Sequence, residues 1–315
     1  MTGTGQPVGG GSHDPDSTEA HREERKPMQR TATPRHYLMV KPTYFDVEYA
    51  INPWMDPTVP TFAKVALEQW TRLHDLYLEL GHRVDVLEPL PGLPDMVFAA
   101  NGAMVVNGKV LVARFLHPQR QPESAAFHGW FRDRGFREIR QARWTNEGEG
   151  DCLVSGDRIL AGSGFRTSTE AHAEIGDFFG LPAITLTLTD PHYYHLDTAL
   201  AVLDNHTIMY NPDAFAAESR KLLAELYPDA ITASPTDAAA FGLNAVSDGR
   251  HVVLPQAAAG LIAELRRRGF IPIGVDLSEL QKAGGGPKCC TLELRGTEPP
   301  RQDGGAPRQD GGAPR

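Results

Sequence analysis

The chain has 315 residues, with 31 Lys and Arg against 40 Asp and Glu for a formal net charge of −9, and 41% of its residues are hydrophobic. So acidic a chain is not a polybasic nucleic-acid binder, and it has neither the run of ~18 apolar residues that a membrane span needs nor an apolar leader core, so no membrane partner and a cytoplasmic location are expected. Three cysteines, Cys152 and the adjacent Cys289 and Cys290, argue against a disulfide framework.

Residues 1 to 35 contain five Gly and four Pro, and residues 296 to 315 contain five and four more, including the repeat RQDGGAPRQDGGAP. Both read as disordered tails of balanced charge. One domain, residues 36 to 295, is left between them and carries the whole net charge. It opens on a strand, HYLMVKP, followed by an amphipathic helix FAKVALEQWTRLHDLYLEL that stops at Gly81 and a short strand HRVDVLEP.

A hairpin signal comes next, VVNGKVLV, then a helix near ESAAFHGWFRDR ending at Gly135. The same order returns three times: LVSGDRIL with TEAHAEIGDFF to Gly180, VLDNHTIM with AESRKLLAEL to Pro228, and AVSDGRHVVL with AAAGLIAELRRR to Gly269. The turns near Gly108, Gly156, Asn205 and Gly249 lie 48, 49 and 44 residues apart. Such a period predicts a repeated unit of hairpin, helix and short strand, five of which fill the domain and close into a ring. The expected fold is therefore α/β, a fivefold pseudosymmetric α/β-propeller in which HYLMVKP and the last strand, CCTLELR, share the sealing blade. A doubly wound sheet is the competing fold, and it supplies no reason for regular hairpins.

Polar residues gather just before the first strand of each hairpin: Asn101, Glu147 to Asp151, His195 with Asp197, and Asn244. GGGPKCCTLEL delivers Cys289 to the same end of the ring. A thiol with an ordinary pKa of ~8.5 needs a basic or cationic neighbour to react as thiolate, so Cys289 with His195 is a candidate nucleophile and base, and the carboxylates suit a cationic substrate.

In their order along the chain, PDMVFAANG, NEGEGD, GSGFRTS, YYHLDTA and GGGPKCCTLEL resemble the guanidino-group-modifying enzymes of the pentein, or amidinotransferase, superfamily, over residues 36 to 295. YFDVEYAINPWM is similar to the branch of arginine dihydrolases and dimethylargininase-like proteins. The resemblance implies a five-bladed propeller and a hydrolase of guanidine C–N bonds, with Cys289 as nucleophile, His195 as acid/base, and Asp197 and Glu147 holding guanidinium nitrogens. Asp95, Asn101, Asn52 and Phe98 are implied substrate contacts. Arg166, with Arg114 as a second candidate, is implied for a substrate carboxylate. Glu149 is expected to be solvated or a hairpin contact, Asp151 to brace backbone amides or touch substrate, and Cys290 to point to the opposite face by strand alternation.

Where deiminases of this superfamily place an aspartate, this sequence has Asn101, and the dihydrolase branch has asparagines that match Asn101 and Asn52. The expected reaction is arginine to ornithine, ammonia and CO2, or a related deiminase reaction. Dimethylarginine hydrolysis, amidino transfer to an amine, a catalytically silent propeller, and a zinc protein using His192, His195, Cys289 and Cys290 are the alternatives. The implied mechanism needs no metal or cofactor; its partner is a small guanidino compound, and the sequence assigns no oligomeric state.

Overall fold

In the computed structural model, residues 1 to 5 and 30 to 296 are described. Most of the expected N-terminal tail, and the expected C-terminal tail from residue 297, lie outside them. Five three-stranded sheets follow one another round the chain. In the first, β1 (His36–Val40) lies parallel to β2 (Arg83–Leu87), which returns after helix α1 (Ala63–Glu79). The second has β3 (Ala103–Val106) antiparallel to β4 (Lys109–Val112), then α2 (Glu123–Asp133) and β5 (Glu138–Gln141) parallel to β4.

The third repeats this with β6 (Cys152–Ser155), β7 (Arg158–Ser163), α3 (Thr169–Phe179) and β8 (Ala183–Thr187). In the fourth, a short helix α4 (Leu196–Ala199) leads into β9 (Leu200–Val202) and β10 (Ile208–Tyr210), followed by α5 (Ala217–Leu226) and β11 (Ile231–Thr232). The fifth follows a short helix α6 (Pro235–Ala239) and comprises β12 (Val246–Ser247), β13 (His251–Pro255), α7 (Ala259–Arg267) and β14 (Ile271–Val275). After helix α8 (Ser278–Gln281), β15 (Leu292–Glu293) pairs antiparallel with β1, Tyr37 opposite Glu293. The last strand thus seals the first blade, and the fold is the expected fivefold α/β-propeller.

Local chemistry accounts for the repeat. Between β3 and β4, Asn107 and Gly108 have φ of 52° and 76°, the two left-handed positions of a tight hairpin turn. Helix α3 buries Ala171, His172, Ile175, Phe178 and Phe179, one stripe at helical spacing, and ends at Gly180 with φ 71°. Blade cores fuse where such stripes meet: Tyr37, Trp70, Leu73, Tyr77 and Phe98 pack with Cys289 and Cys290 in one cluster.

Two boundaries move. Residues 30 to 35, expected in the tail, lie on the ring: Arg30 stacks on Phe270 at 3.4 Å and bonds Asp204, and the Thr33 amide donates to the Asp248 carbonyl. Cys289 and Cys290 stand in a turn ahead of β15 rather than in a strand, because the Cys290 and Thr291 amides donate back to the Gly286 and Lys288 carbonyls. Strand alternation therefore does not separate the two thiols; the turn does. No helix among the described residues is long and apolar enough to cross a membrane.

Candidate active site

Each blade sends one polar segment into the approach to its innermost strand: Asn101 before β3, Glu147 before β6, His195 and Asp197 before β9, Asn244 before β12 and Cys289 before β15. All six side chains are buried, none more than 2% exposed. A small pocket opens beside Cys289, lined also by Asn52, Asp95, Phe98, Asn101, Arg120, Arg166 and Tyr194. Asn52 comes from the segment between β1 and α1, where its side-chain oxygen accepts from the Trp54 amide at 2.9 Å and its nitrogen donates to the Ala283 carbonyl at 3.1 Å.

The three glycines before Cys289 are required by contact. A Cβ at Gly284 would lie 2.8 Å from the Tyr194 hydroxyl, one at Gly285 would overlap the Phe98 ring, and one at Gly286 would lie 2.8 Å from Asn244 Oδ1. The run lets backbone pass between pocket-lining side chains that already occupy the space.

Cys289 Sγ donates to Asp197 Oδ2 at 3.3 Å and accepts from Asn244 Nδ2 at 3.1 Å. Burial and the Asp197 carboxylate push the thiol well above its ordinary value, so free Cys289 is a thiol. Asp197 is itself raised by burial to about 7, against the opposing pull of Lys288 and its hydrogen bonds from Cys289 and Asn244.

His195 Nε2 lies 2.7 Å from Glu147 Oε2, and Arg166 Nη1 donates to the same oxygen at 2.9 Å. Burial opposes the charge on Glu147, but Arg166 and His195 hold its carboxyl well below the usual range. An ionised carboxylate only accepts, so Nε2 carries the proton of that bond and Nδ1 is the nitrogen left for proton transfer. His195 Nδ1 is buried with no hydrogen-bond partner among the described residues.

Glu147 is thus spent on His195 and Arg166, which differs from its expected place on guanidinium nitrogens. The unused acceptors are elsewhere. Asp197 Oδ1 and Asp95 Oδ1 are buried and have no partner among the described residues, while Asp95 Oδ2 accepts from the Tyr49 hydroxyl at 2.8 Å. Burial raises Asp95 as well, with Arg120 opposing.

Arg120, absent from the sequence-based candidates, is 3% exposed and bonds Glu123 bidentately at 2.8 Å, Asn101 Oδ1 at 2.9 Å and the Asp95 carbonyl at 3.2 Å. Arg114 is exposed and lies outside the pocket; only its backbone reaches Asn146. Arg166 also donates to the Ile51 carbonyl at 2.8 Å and lies over the Tyr194 ring at 4.8 Å. Its Nε makes no hydrogen bond among the described residues, so one guanidinium N–H is unused.

Glu149 is not solvated: it is buried in an ion cluster with Lys288, at 2.9 Å, and Arg295, and accepts from the Glu293 amide at 3.0 Å. Asp151 braces backbone, taking the Leu196 amide at 3.0 Å and the Thr167 hydroxyl at 2.7 Å. His192 bonds Asp190, and no His, Cys, Asp and Glu group with metal-binding geometry occurs among the described residues.

Round the pocket stand four carboxylates, Asp95, Glu123, Glu147 and Asp197, and two guanidiniums that pair with Glu123 and Glu147. The two left without a dedicated cation, Asp95 and Asp197, are the two with a free oxygen. A buried cysteine beside two acids that lack a dedicated cation, on a five-bladed α/β-propeller, defines a hydrolase of guanidine C–N bonds in linear amidines.

Comparison with known proteins agrees. The family described as "N,N dimethylarginine dimethylhydrolase, eukaryotic" matches residues 46 to 296, and the chain belongs to this family. It is 54% identical over 279 residues to an N(G),N(G)-dimethylarginine dimethylaminohydrolase of Mycobacterium tuberculosis, covering 89% of this chain and 92% of that one. It is 36% identical to the bifunctional arginine dihydrolase/ornithine cyclodeaminase ArgZ of Synechocystis, covering 83% of this chain but 38% of the relative. The structure of the N-terminal domain of ArgZ, an arginine dihydrolase from cyanobacteria, superposes with a TM-score of 0.80 at 34% identity, covering 83% of this chain and 98% of that one.

Proposed function

We propose that the protein hydrolyses L-arginine twice at one site, to ornithine, two ammonia and CO2. The observation that supports it is the pair of amides, Asn101 and Asn52, lining the pocket with Cys289. A carboxylate can hold a guanidinium, but it cannot donate to the carbonyl oxygen of the neutral ureido product; an amide can. Asn101 Nδ2 makes only a 3.5 Å contact with the Glu147 carbonyl, so the amide has donor capacity to spare. A pocket that binds the first product through amides retains it for a second attack.

In the first round the guanidinium lies between the free oxygens of Asp95 and Asp197. Its charge beside Cys289 favours the thiolate, and the thiol proton passes to His195 Nδ1. The sulfur attacks the guanidinium carbon, His195 returns the proton to the departing nitrogen, and ammonia leaves an S-alkylthiouronium. His195 then takes a proton from water, whose oxygen adds to the same carbon; the C–S bond breaks and the sulfur regains its proton. The second round releases ammonia, then ornithine, with the carbon leaving as CO2.

Dimethylarginine is the second reading, favoured by the 54% identical Mycobacterium relative. Product stoichiometry separates the two. Pure enzyme with arginine is expected to yield two ammonia per ornithine with little citrulline; accumulating citrulline overturns double hydrolysis, and dimethylamine from dimethylarginine with arginine inert selects the second reading.

Binding should depend on pH through Asp197, raised to about 7. Its carboxylate is present above that pH and lost below it, so a cationic ligand loses its partner as pH falls. With Cys289→Ser, which removes the thiol from the titration, the Kd for arginine is expected to rise about tenfold per unit below pH 7. Calorimetric Kd values that stay flat between pH 5 and 8 would remove Asp197 from the guanidinium site.

A further inference from the structure

The fifth blade contributes no group to the chemistry above, yet its approach segment ends in a buried side chain touching the nucleophile. Asn244 is 0% exposed and makes four hydrogen bonds. Its nitrogen donates to Cys289 Sγ at 3.1 Å and to the Asp197 carbonyl at 3.0 Å. Its oxygen accepts from the Lys288 amide at 2.9 Å and the Cys289 amide at 3.1 Å. Gly286 is packed so closely on that oxygen that no side chain fits there.

We propose that Asn244 is a catalytic residue whose amide N–H stabilises the Cys289 thiolate while its carbonyl holds the turn that presents the sulfur. The two halves of the amide do different work. In the resting thiol, Sγ gives its proton to Asp197 Oδ2 and receives the N–H of Asn244. When the proton leaves, the Asp197 contact turns from an attraction into a repulsion between two anions. The Asn244 N–H then becomes a charge-assisted bond, which strengthens as charge develops on sulfur.

The other titratable groups near Sγ offer less. Asp197, Cys290 and the Tyr194 hydroxyl disfavour the anion or are neutral, Lys288 is bound to Glu149, and His195 is bound through Nε2 to Glu147. The Gly286 backbone amide is a second favourable donor, and it belongs to the turn that Asn244 Oδ1 holds at the Lys288 and Cys289 amides. The backbone leading to Asn244 passes through Phe241 at φ 62°, a left-handed position that a phenylalanine takes at a cost, held by edge-to-face packing on Trp54 at 5.0 Å.

This reading rests on Cys289 as the nucleophile of the proposed hydrolysis, and the measurement that decides it needs no substrate. The probe is iodoacetamide, with Cys289 alkylation followed by mass spectrometry against pH in Cys290→Ser enzyme. Asn244→Asp keeps an oxygen for the Lys288 and Cys289 amides but loses the N–H. It is expected to shift the alkylation midpoint upward by about one to two pH units, and to lower kcat about a hundredfold while KM stays within about threefold. Asn244→Ser, smaller and neutral, is expected to shift the midpoint by less in the same direction.

Folded variants with an unmoved midpoint overturn the proposal. So does a failure of both variants to fold, which makes Asn244 a structural brace. An Asn244 effect on alkylation in an enzyme that leaves arginine intact sinks the arginine reading and leaves the thiolate role standing.

Discussion

Cys289→Ser is expected to lower kcat/KM for arginine by at least about 10⁴-fold, whereas Cys290→Ser is expected to stay within about threefold of the parent. The two thiols are adjacent in sequence and both buried, so exposure does not tell them apart. Their contacts do. Cys289 borders the pocket and exchanges hydrogen bonds with Asp197 and Asn244, while burial pushes the Cys290 thiol well above its ordinary value, and Cys290 lies near the Tyr77 hydroxyl, itself bonded to Thr291 at 3.0 Å.

The second substitution should still be visible, in stability. A serine hydroxyl replaces a thiol in an apolar cluster, a cost of about 1–3 kcal/mol. For a ring of this size that lowers Tm by roughly 2–10 °C. Steady-state rates and a melt on the two variants check both halves; loss of turnover in Cys290→Ser with Cys289→Ser active would reverse the assignment of the nucleophile.

Much of the ring is legible in the sequence because its signals are local. Asn107-Gly108 and the glycine that follows the helix in four of the five blades dictate turns within a few residues, and their repetition counts the blades. Cys289, His195 and Asn101 are legible for the same reason, each sitting in a short motif ahead of an inner strand.

What escapes is set by distance along the chain. Arg114 and Arg120 are both basic residues after β4, and only the path of the loop after Phe115 decides that Arg120 enters and Arg114 does not. Glu149 looks solvated until Lys288 and Arg295 arrive, more than a hundred residues later. Asn244 stands in the right place in the repeat, but its chemistry comes from Cys289, 45 positions away. Glu147 was legible as an acid of the site, whereas its partners depend on which of several carboxylates the two cations reach first.

Those partners make Glu147→Gln the substitution with the widest consequences. The glutamine fits the same space but loses the charge shared by Arg166 and His195, whose side chains are only 3% and 1% exposed. Catalysis should suffer because His195 exchanges an anionic acceptor, which fixes Nε2–H and leaves Nδ1 for the substrate, for a neutral amide that holds that tautomer more weakly. A drop of about 10²–10⁴ in kcat is expected.

Stability should fall too, because Arg166 becomes a buried charge without its counter-ion, a change that costs about 3–5 kcal/mol. The sign with pH follows from the direction of the shift. Glu147 is held below its ordinary value in the folded chain, so its contribution is complete above the unfolded value of ~4.3 and is lost as pH falls toward the folded one. The Tm difference between parent and Glu147→Gln is therefore expected to be full at pH 7 and to shrink below about pH 4. A difference that is already absent at pH 7, in an enzyme that has nonetheless lost activity, would mean that Glu147 serves His195 alone and that Arg166 is neutralised elsewhere.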